Sequence, residues 1–420
     1  MRKLFFIFAS LIAFINIKAQ ELDKIIELHR KNIDHLLMSR GAPPQWTSGT
    51  LSEEDIADFL SNYKQVGIIM YTYLDNALHV MYYTEKGKVF SNSYKIDKEE
   101  LAHNMKLLNA YYSTPSNHNL NSNRGSKATS RNNSTKIQLK KITDIILPNR
   151  EILADLDHII IIPTLNIATV PFSALEFSDN TFLIDKMGYS IAPSLFELFV
   201  NKELGIKNKL HFNYSPNKYL LIANPSYPAD KWNFQNLPGA ENEANALKAI
   251  LGEDNCTIYT KNEATITNIL PEIDQYELIY FATHGISNTE NPLDSSFLVL
   301  AQDKEGSYLT ARAIQQLHLN ANLVVLSACQ TGLGKEHDGG VIGLARAFQI
   351  AGAKNVLSSL WNIDDKETVT IMTELFKNIY DNEDITHYEA LRKAILQYKK
   401  EINSNPYFWS AFTLFGVPDE

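Results

Sequence analysis

Two stretches of this sequence close an apolar run on a reactive side chain. "ELIYFATHG" ends on His284 and Gly285, and "NLVVLSAC" ends on Cys329, 45 residues further along. A free thiol titrates at about 8.5 and only its thiolate is nucleophilic, so a cysteine that attacks at neutral pH needs a base beside it. An imidazole can take the thiol proton, hold the thiolate as an ion pair and later protonate a leaving amine. Gly285 has no Cβ to obstruct its N–H, which can join the N–H of Cys329 in cradling an oxyanion.

Residue types alone leave other roles open. A strand-end cysteine also packs as a small hydrophobe, and a strand-end histidine is often hydrogen-bonded structure. A disulfide to Cys256 is the third possibility, and geometry speaks against it. Cys256 enters the strand "CTIYT" whereas Cys329 leaves "LVVLSAC". In one parallel sheet the two thiols then stand at opposite ends, roughly 15 Å apart at about 3.3 Å per residue, against a Cα limit of about 7 Å.

The elements that must carry these groups follow a regular pattern from Tyr219 onward. Short, nearly all-apolar strands ("YLLIANP", "CTIYT", "ELIYFATHG", "NLVVLSAC", "NVLSSLW") alternate with amphipathic helices such as the one from about Ala240 to Leu251. That alternation predicts an α/β fold, a parallel-rich sheet covered on both faces, with its site beyond the carboxyl ends of the strands. Residues 219–420 form the catalytic half in this reading. Residues 51–218 form an N-terminal α/β half with no visible His–Cys pair. It holds a short helix capped by Ser52, three strand-like runs ("VGIIMYTYL", "ALHVMYYTE", "VFSNSYKI") and a helix from about Lys98 to Tyr111. Inside it, residues 113–135 are polar, Asn/Ser-rich and poor in large apolar side chains, which predicts a disordered insert. Residues 21–50 read as an amphipathic helix and a linker.

Residues 1–20, "MRKLFFIFASLIAFINIKAQ", have a basic start at Arg2 and Lys3, an apolar core and a small Ala19. This is secretory-signal architecture, which predicts an exported protein, periplasmic or secreted, with no stable membrane span after signal removal; a membrane-anchored N-terminus is the alternative. Setting aside Arg2, Lys3 and Lys18 takes the formal charge from −9 to −12. An acidic body lacks the clustered Lys and Arg of a nucleic-acid binder. No dinucleotide fingerprint, Walker loop, GxSxG elbow or metal-ligand cluster is present, and "TGLGKEHDGG" lacks the ending of a P-loop. His337 and Asp338 read as solvated, and no cofactor or metal is expected.

The motifs "LPGAENEANALKAILG", "YFATHG", "LSACQTGLG", "GVIGLARAFQIAGAKNVLSSLWNIDD" and "NPYFWSAFTLFG" stand in that order. In this the chain resembles the CHAT family of caspase-like cysteine peptidases, relatives of caspases, separases and gingipains. The resemblance reaches from about Leu51 to Phe415, interrupted by the polar insert. It implies a caspase-like catalytic half preceded by a degenerate, pseudo-caspase-like one. The family's catalytic histidine falls on His284, its nucleophile on Cys329 and its oxyanion donor on Gly285. The implied activity is a cysteine endopeptidase acting on protein or peptide substrates.

Relatives that cut after basic residues use an acidic group in the substrate pocket. Here Asp364 and Asp365 follow "SSLW", so that Asp365 and Trp361 are candidates for the pocket wall. Asp365 equally suits the cap of the next helix, and Trp361 equally suits packing. With a basic preference, Arg124, Lys127 or Arg131 in the insert become sites for self-processing. Many relatives carry tandem helical repeats ahead of the peptidase. The stretch between the signal segment and Leu51 is too short for three stacked repeats, so whatever recruits or activates those relatives is expected to be a separate regulatory protein here, or absent. The rival expectation is a catalytically silent, caspase-like peptide-binding or scaffold protein.

Overall fold

The computed structural model describes residues 53–118, 126–178, 181–192, 195, 198, 218–229, 232–288, 291–327, 334–337, 340–363, 365–382 and 384–416. The expected signal segment, residues 1–20, and the expected helix and linker, residues 21–50, lie outside the described residues.

In chain order the first part holds α1 (Glu53–Leu60), β1 (Val66–Leu74), β2 (Ala77–Thr84), β3 (Gly87–Lys95), α2 (Lys98–Tyr112), α3 (Ser126–Ile146), β4 (His158–Ile162), β5 (Glu176–Ser178), β6 (Thr181–Phe182) and β7 (Gly188–Ile191). The second holds β8 (Tyr219–Pro225), α4 (Pro238–Leu251), β9 (Cys256–Lys261), β10 (Leu278–Ala282), β11 (Gly285–Ile286), β12 (Phe297–Asp303) and β13 (Gly306–Thr310). It continues with β14 (Leu323–Ser327), β15 (Gly334–His337), β16 (Gly340–Gly343), α5 (Leu344–Ala351), β17 (Asn355–Ser359), α6 (Asp365–Asp381), α7 (His387–Glu401) and β18 (Phe412–Gly416).

Eleven strands form one sheet in the order β3-β2-β1-β4-β7-β18-β17-β14-β10-β8-β9. β17, β14, β10, β8 and β9 are mutually parallel. β1, β4, β7 and β18 are also parallel to one another, and β18 meets β17 antiparallel. The last strand of the second part is therefore the seam to the first, and the two parts share a sheet. Apolar patterning does not encode strand direction, so this reversal was not predicted.

Burial follows the pleat. In β1, Val66, Ile68 and Met70 face α1 with Ile56, Phe59 and Leu60, while Ile69, Tyr71 and Tyr73 face the large core on the opposite side. Both faces of the central strands are covered, which is why β4, β10 and β17 read as unbroken buried runs. The β1–β2 hairpin turns on Asp75 and Asn76, whose φ of 52° and 58° are the left-handed values that a two-residue turn requires.

The polar insert is a correction. α3 starts at Ser126, so the final ten residues of the stretch expected to be disordered have helical backbone. Leu139, Ile142 and Ile146 are buried at helical spacing. A helix nucleated on such a face extends backward through polar sequence, because each added residue gains one hydrogen bond.

Candidate active site

β10 and β14 are adjacent and parallel, and they end level, with Ala282 opposite Ser327. His284 lies two residues beyond Ala282. Cys329 follows Ser327 by the same count and lies outside the described residues.

Past β10 the chain turns into β11. The Val299 N–H donates to the His284 carbonyl at 2.9 Å, and Gly285 is paired with Leu298. That combination makes Gly285 a non-hydrogen-bonded position of the β11–β12 ladder. Its own N–H therefore turns away from β12.

The imidazole of His284 is held by the segment between β8 and α4. Its Nε2 lies 2.7 Å from the carbonyl oxygen of Gln235. A carbonyl only accepts, so Nε2 carries the proton and a neutral ring has its lone pair on Nδ1. The Phe234 ring stacks on the imidazole at 5.0 Å and 27°, and Tyr227 packs at 4.7 Å. Trp232 stacks in turn on Phe234 at 6.1 Å and is 41% exposed.

The holding segment is itself fixed. Asn224, at a φ of 47°, accepts the Leu237 N–H at 2.8 Å and donates to Glu241 at 2.6 Å. Leu237 precedes Pro238, the first residue of α4, where a missing N–H costs nothing. On the inward face of α4, among Ala240, Ala244 and Leu247, sits Glu243, only 4% exposed. Tyr280 of β10 donates its hydroxyl to Glu243. The Ser327 hydroxyl of β14 is shared between the two carboxylate oxygens at 3.1 and 3.2 Å. Burial, and then the Glu243 carboxylate, push the Tyr280 phenol well above its ordinary range, so it stays a donor.

Other expected site residues fall elsewhere. Trp361 is 4% exposed, and its indole N–H donates to the Tyr407 carbonyl at 3.0 Å. It belongs to the core, which corrects its candidacy for an open pocket wall. Asp365 is the first residue of α6; its side chain and all of Asp364 lie outside the described residues. Cys256 pairs with Tyr219, level with Leu278 and Leu323, at the opposite end of the sheet from the ends of β10 and β14. Burial pushes its thiol up to about 11. Among the described residues no group of three or more His, Cys, Asp or Glu could hold a metal ion. Nor is any helix among them long and apolar enough to cross a membrane.

Sequence reasoning missed Gln235, Phe234, Tyr227 and Glu243. Gln235 acts through its backbone, which leaves no residue-type signal. Glu243 did leave one, as a carboxylate on the apolar stripe of α4.

Residues 136–417 match the CHAT domain. Human tetratricopeptide repeat protein 28 is 28% identical over 287 residues, covering 59% of this chain and 11% of that protein. Its mouse counterpart is 27% identical over 291 residues, 59% of this chain and 12% of that protein. The chain thus spans about a tenth of the length of these relatives. A crystal structure of the Saccharomyces cerevisiae separase–securin complex superimposes with a TM-score of 0.52 at 11% identity, covering 87% of this chain and 30% of the matched one. That likeness shows the fold. Gingipain R, an Arg-specific cysteine proteinase, gives a TM-score of 0.45 at 13% identity over 77% of this chain and 76% of its own.

Proposed function

The chain belongs to the CHAT domain family, and on that premise we propose that it is an exported cysteine endopeptidase working through Cys329 and His284. Nδ1 of His284 takes the thiol proton, and the thiolate attacks the carbonyl carbon of the scissile bond. The oxyanion settles against the N–H groups of Gly285 and Cys329. The imidazolium then gives its proton to the leaving amine, and the acyl–enzyme forms. Water, deprotonated by the same imidazole, releases the acid and restores the thiol.

The observation that carries this reading is the register of β10 and β14, because each candidate follows its strand end by two residues. The Gln235 carbonyl adds to it, since it leaves the lone pair of His284 on the ring nitrogen that must act as base. Export rests on the pattern of residues 1–20 alone.

The proposed substrate is a peptide segment with Arg or Lys before the cut, paired to Asp365 at the start of α6. Self-processing centres on Arg124. Lys127 and Arg131 stand on helical backbone, which must unwind before it can enter a peptidase cleft. A separate regulatory chain is part of the proposal; the matched separase was crystallised in complex with another protein, securin.

The test is to incubate residues 21–420 and its Cys329→Ala variant with a peptide library and sequence the cut ends. Cleavage after basic residues that vanishes in Cys329→Ala and weakens in Asp365→Ala is the expected result. Intact peptides throughout would leave the silent scaffold as the better reading.

A further inference from the structure

Glu243 is a charge-bearing side chain in a place that should repel one. A buried carboxylate is costly unless hydrogen-bonded donors surround it, and the neighbours on its own helix face are alanines and leucines. Two donors come from the sheet, on the strands that lead to the reactive pair. Tyr280 lies on β10, four residues before His284, and Ser327 ends β14, two residues before Cys329. The same helix start reaches a third delivering segment, because Glu241 holds Asn224 and Asn224 holds the Leu237 N–H. That segment carries the Gln235 carbonyl on His284.

A purely structural contact would be served by apolar groups at all three positions, since replacing a whole set of buried polar partners by apolar ones is often neutral for stability. What a carboxylate adds is direction. It accepts from two strands at once and so ties the Ser327 hydroxyl at the end of β14, and the Tyr280 hydroxyl of β10, to one point on α4. We propose that Glu243 is a positioning residue: by binding Tyr280 and Ser327 together it fixes the end of β14, two residues before Cys329, against β10, whose end lies two residues before His284.

This inference rests on the peptidase reading, and the experiment separates the two. Wild type, Cys329→Ala, Glu243→Gln and Ser327→Ala are compared on the best peptide from the library, with thermal melts of each. Cys329-dependent cleavage by wild type establishes the reading. Glu243→Gln then lowers kcat by about 100-fold, the scale of an ångström-sized misplacement, with KM within about twofold. Ser327→Ala lowers kcat by about tenfold, and both variants remain folded at assay temperature. Folded variants with kcat within twofold of wild type would overturn the proposal. So would a loss that follows the melted fraction and nothing else. If wild type shows no Cys329-dependent cleavage, the peptidase reading has failed by itself. Glu243 is then judged by alkylation of Cys329 with iodoacetamide: a changed rate and pH profile in Glu243→Gln keeps the positioning role, and identical profiles end it.

Discussion

Two fully buried histidines make the fold acid-sensitive by a calculable amount. His158 is 0% exposed, its Nε2 within 3.0 Å of the Ser190 hydroxyl and its ring 3.7 Å from that of Tyr388. Burial lowers its pKa from 6.5 to about 3. Burial first, and then the nearby Lys354 charge, lower that of His387 to about 4. Unfolded chains hold these imidazoles near their ordinary value, so between about pH 6.5 and those lower values the unfolded state binds more protons. Stability is therefore complete above about 6.5 and falls as the solution is acidified. At pH 5 the loss is about 1.5 pH units of protonation per histidine, or about 2 kcal/mol each. Two such losses are a large part of the 5–15 kcal/mol or so that holds a typical domain. Carboxylates titrate in the same range, so the comparison must be differential. Urea denaturation at pH 7.5 and pH 5.0 is run on wild type and His158→Gln, which keeps a group able to meet Ser190. The variant should lose about 2 kcal/mol less than wild type between the two pH values. Equal losses would show that His158 titrates normally in the folded state, and the reasoning from its burial would be wrong.

Phe234→Ala removes the ring stacked on His284, an interaction of about 0.5–1.5 kcal/mol. It should lower kcat/KM for the best peptide by about 2- to 10-fold with little change in melting temperature, and an unchanged kcat/KM would contradict the role given to the stack. Trp361→Phe leaves the Tyr407 carbonyl without its indole donor, which should cost about 1–3 kcal/mol in denaturation experiments while KM stays within twofold; a large rise in KM at unchanged stability would return Trp361 to the pocket. Cys256, with its thiol pushed up to about 11, should react slowly with iodoacetamide at pH 7, so that Cys329→Ala leaves slow labelling alone, as peptide mapping can read directly.

The alternation of strands and helices from Tyr219 onward was legible because a strand buried on both faces has to be almost wholly apolar. The juncture at "YFATHG" and "LSAC" was legible for the same reason, as the polar or reactive residue that breaks such a run marks the sheet's rim. Pairing direction was not legible: β18 has the composition of its neighbours and runs the other way against β17. The start of α3 at Ser126 was missed because its polar residues take their helicity from the buried face further on. Gln235 was hidden in principle, since any residue supplies a carbonyl. Glu243 was readable as a carboxylate on the stripe of Ala240, Ala244 and Leu247, but which donors would meet it depends on β10 and β14 lying side by side.

In the proposed mechanism the imidazole of His284 governs the reactivity of Cys329. Alkylation of Cys329 by iodoacetamide, followed across pH by mass spectrometry in wild type and in His284→Ala, tests it most directly. Wild type should reach half its maximal rate below the ordinary thiol range of about 8.5, and the variant should move up into it. Superimposable profiles, both in the ordinary range, would contradict it.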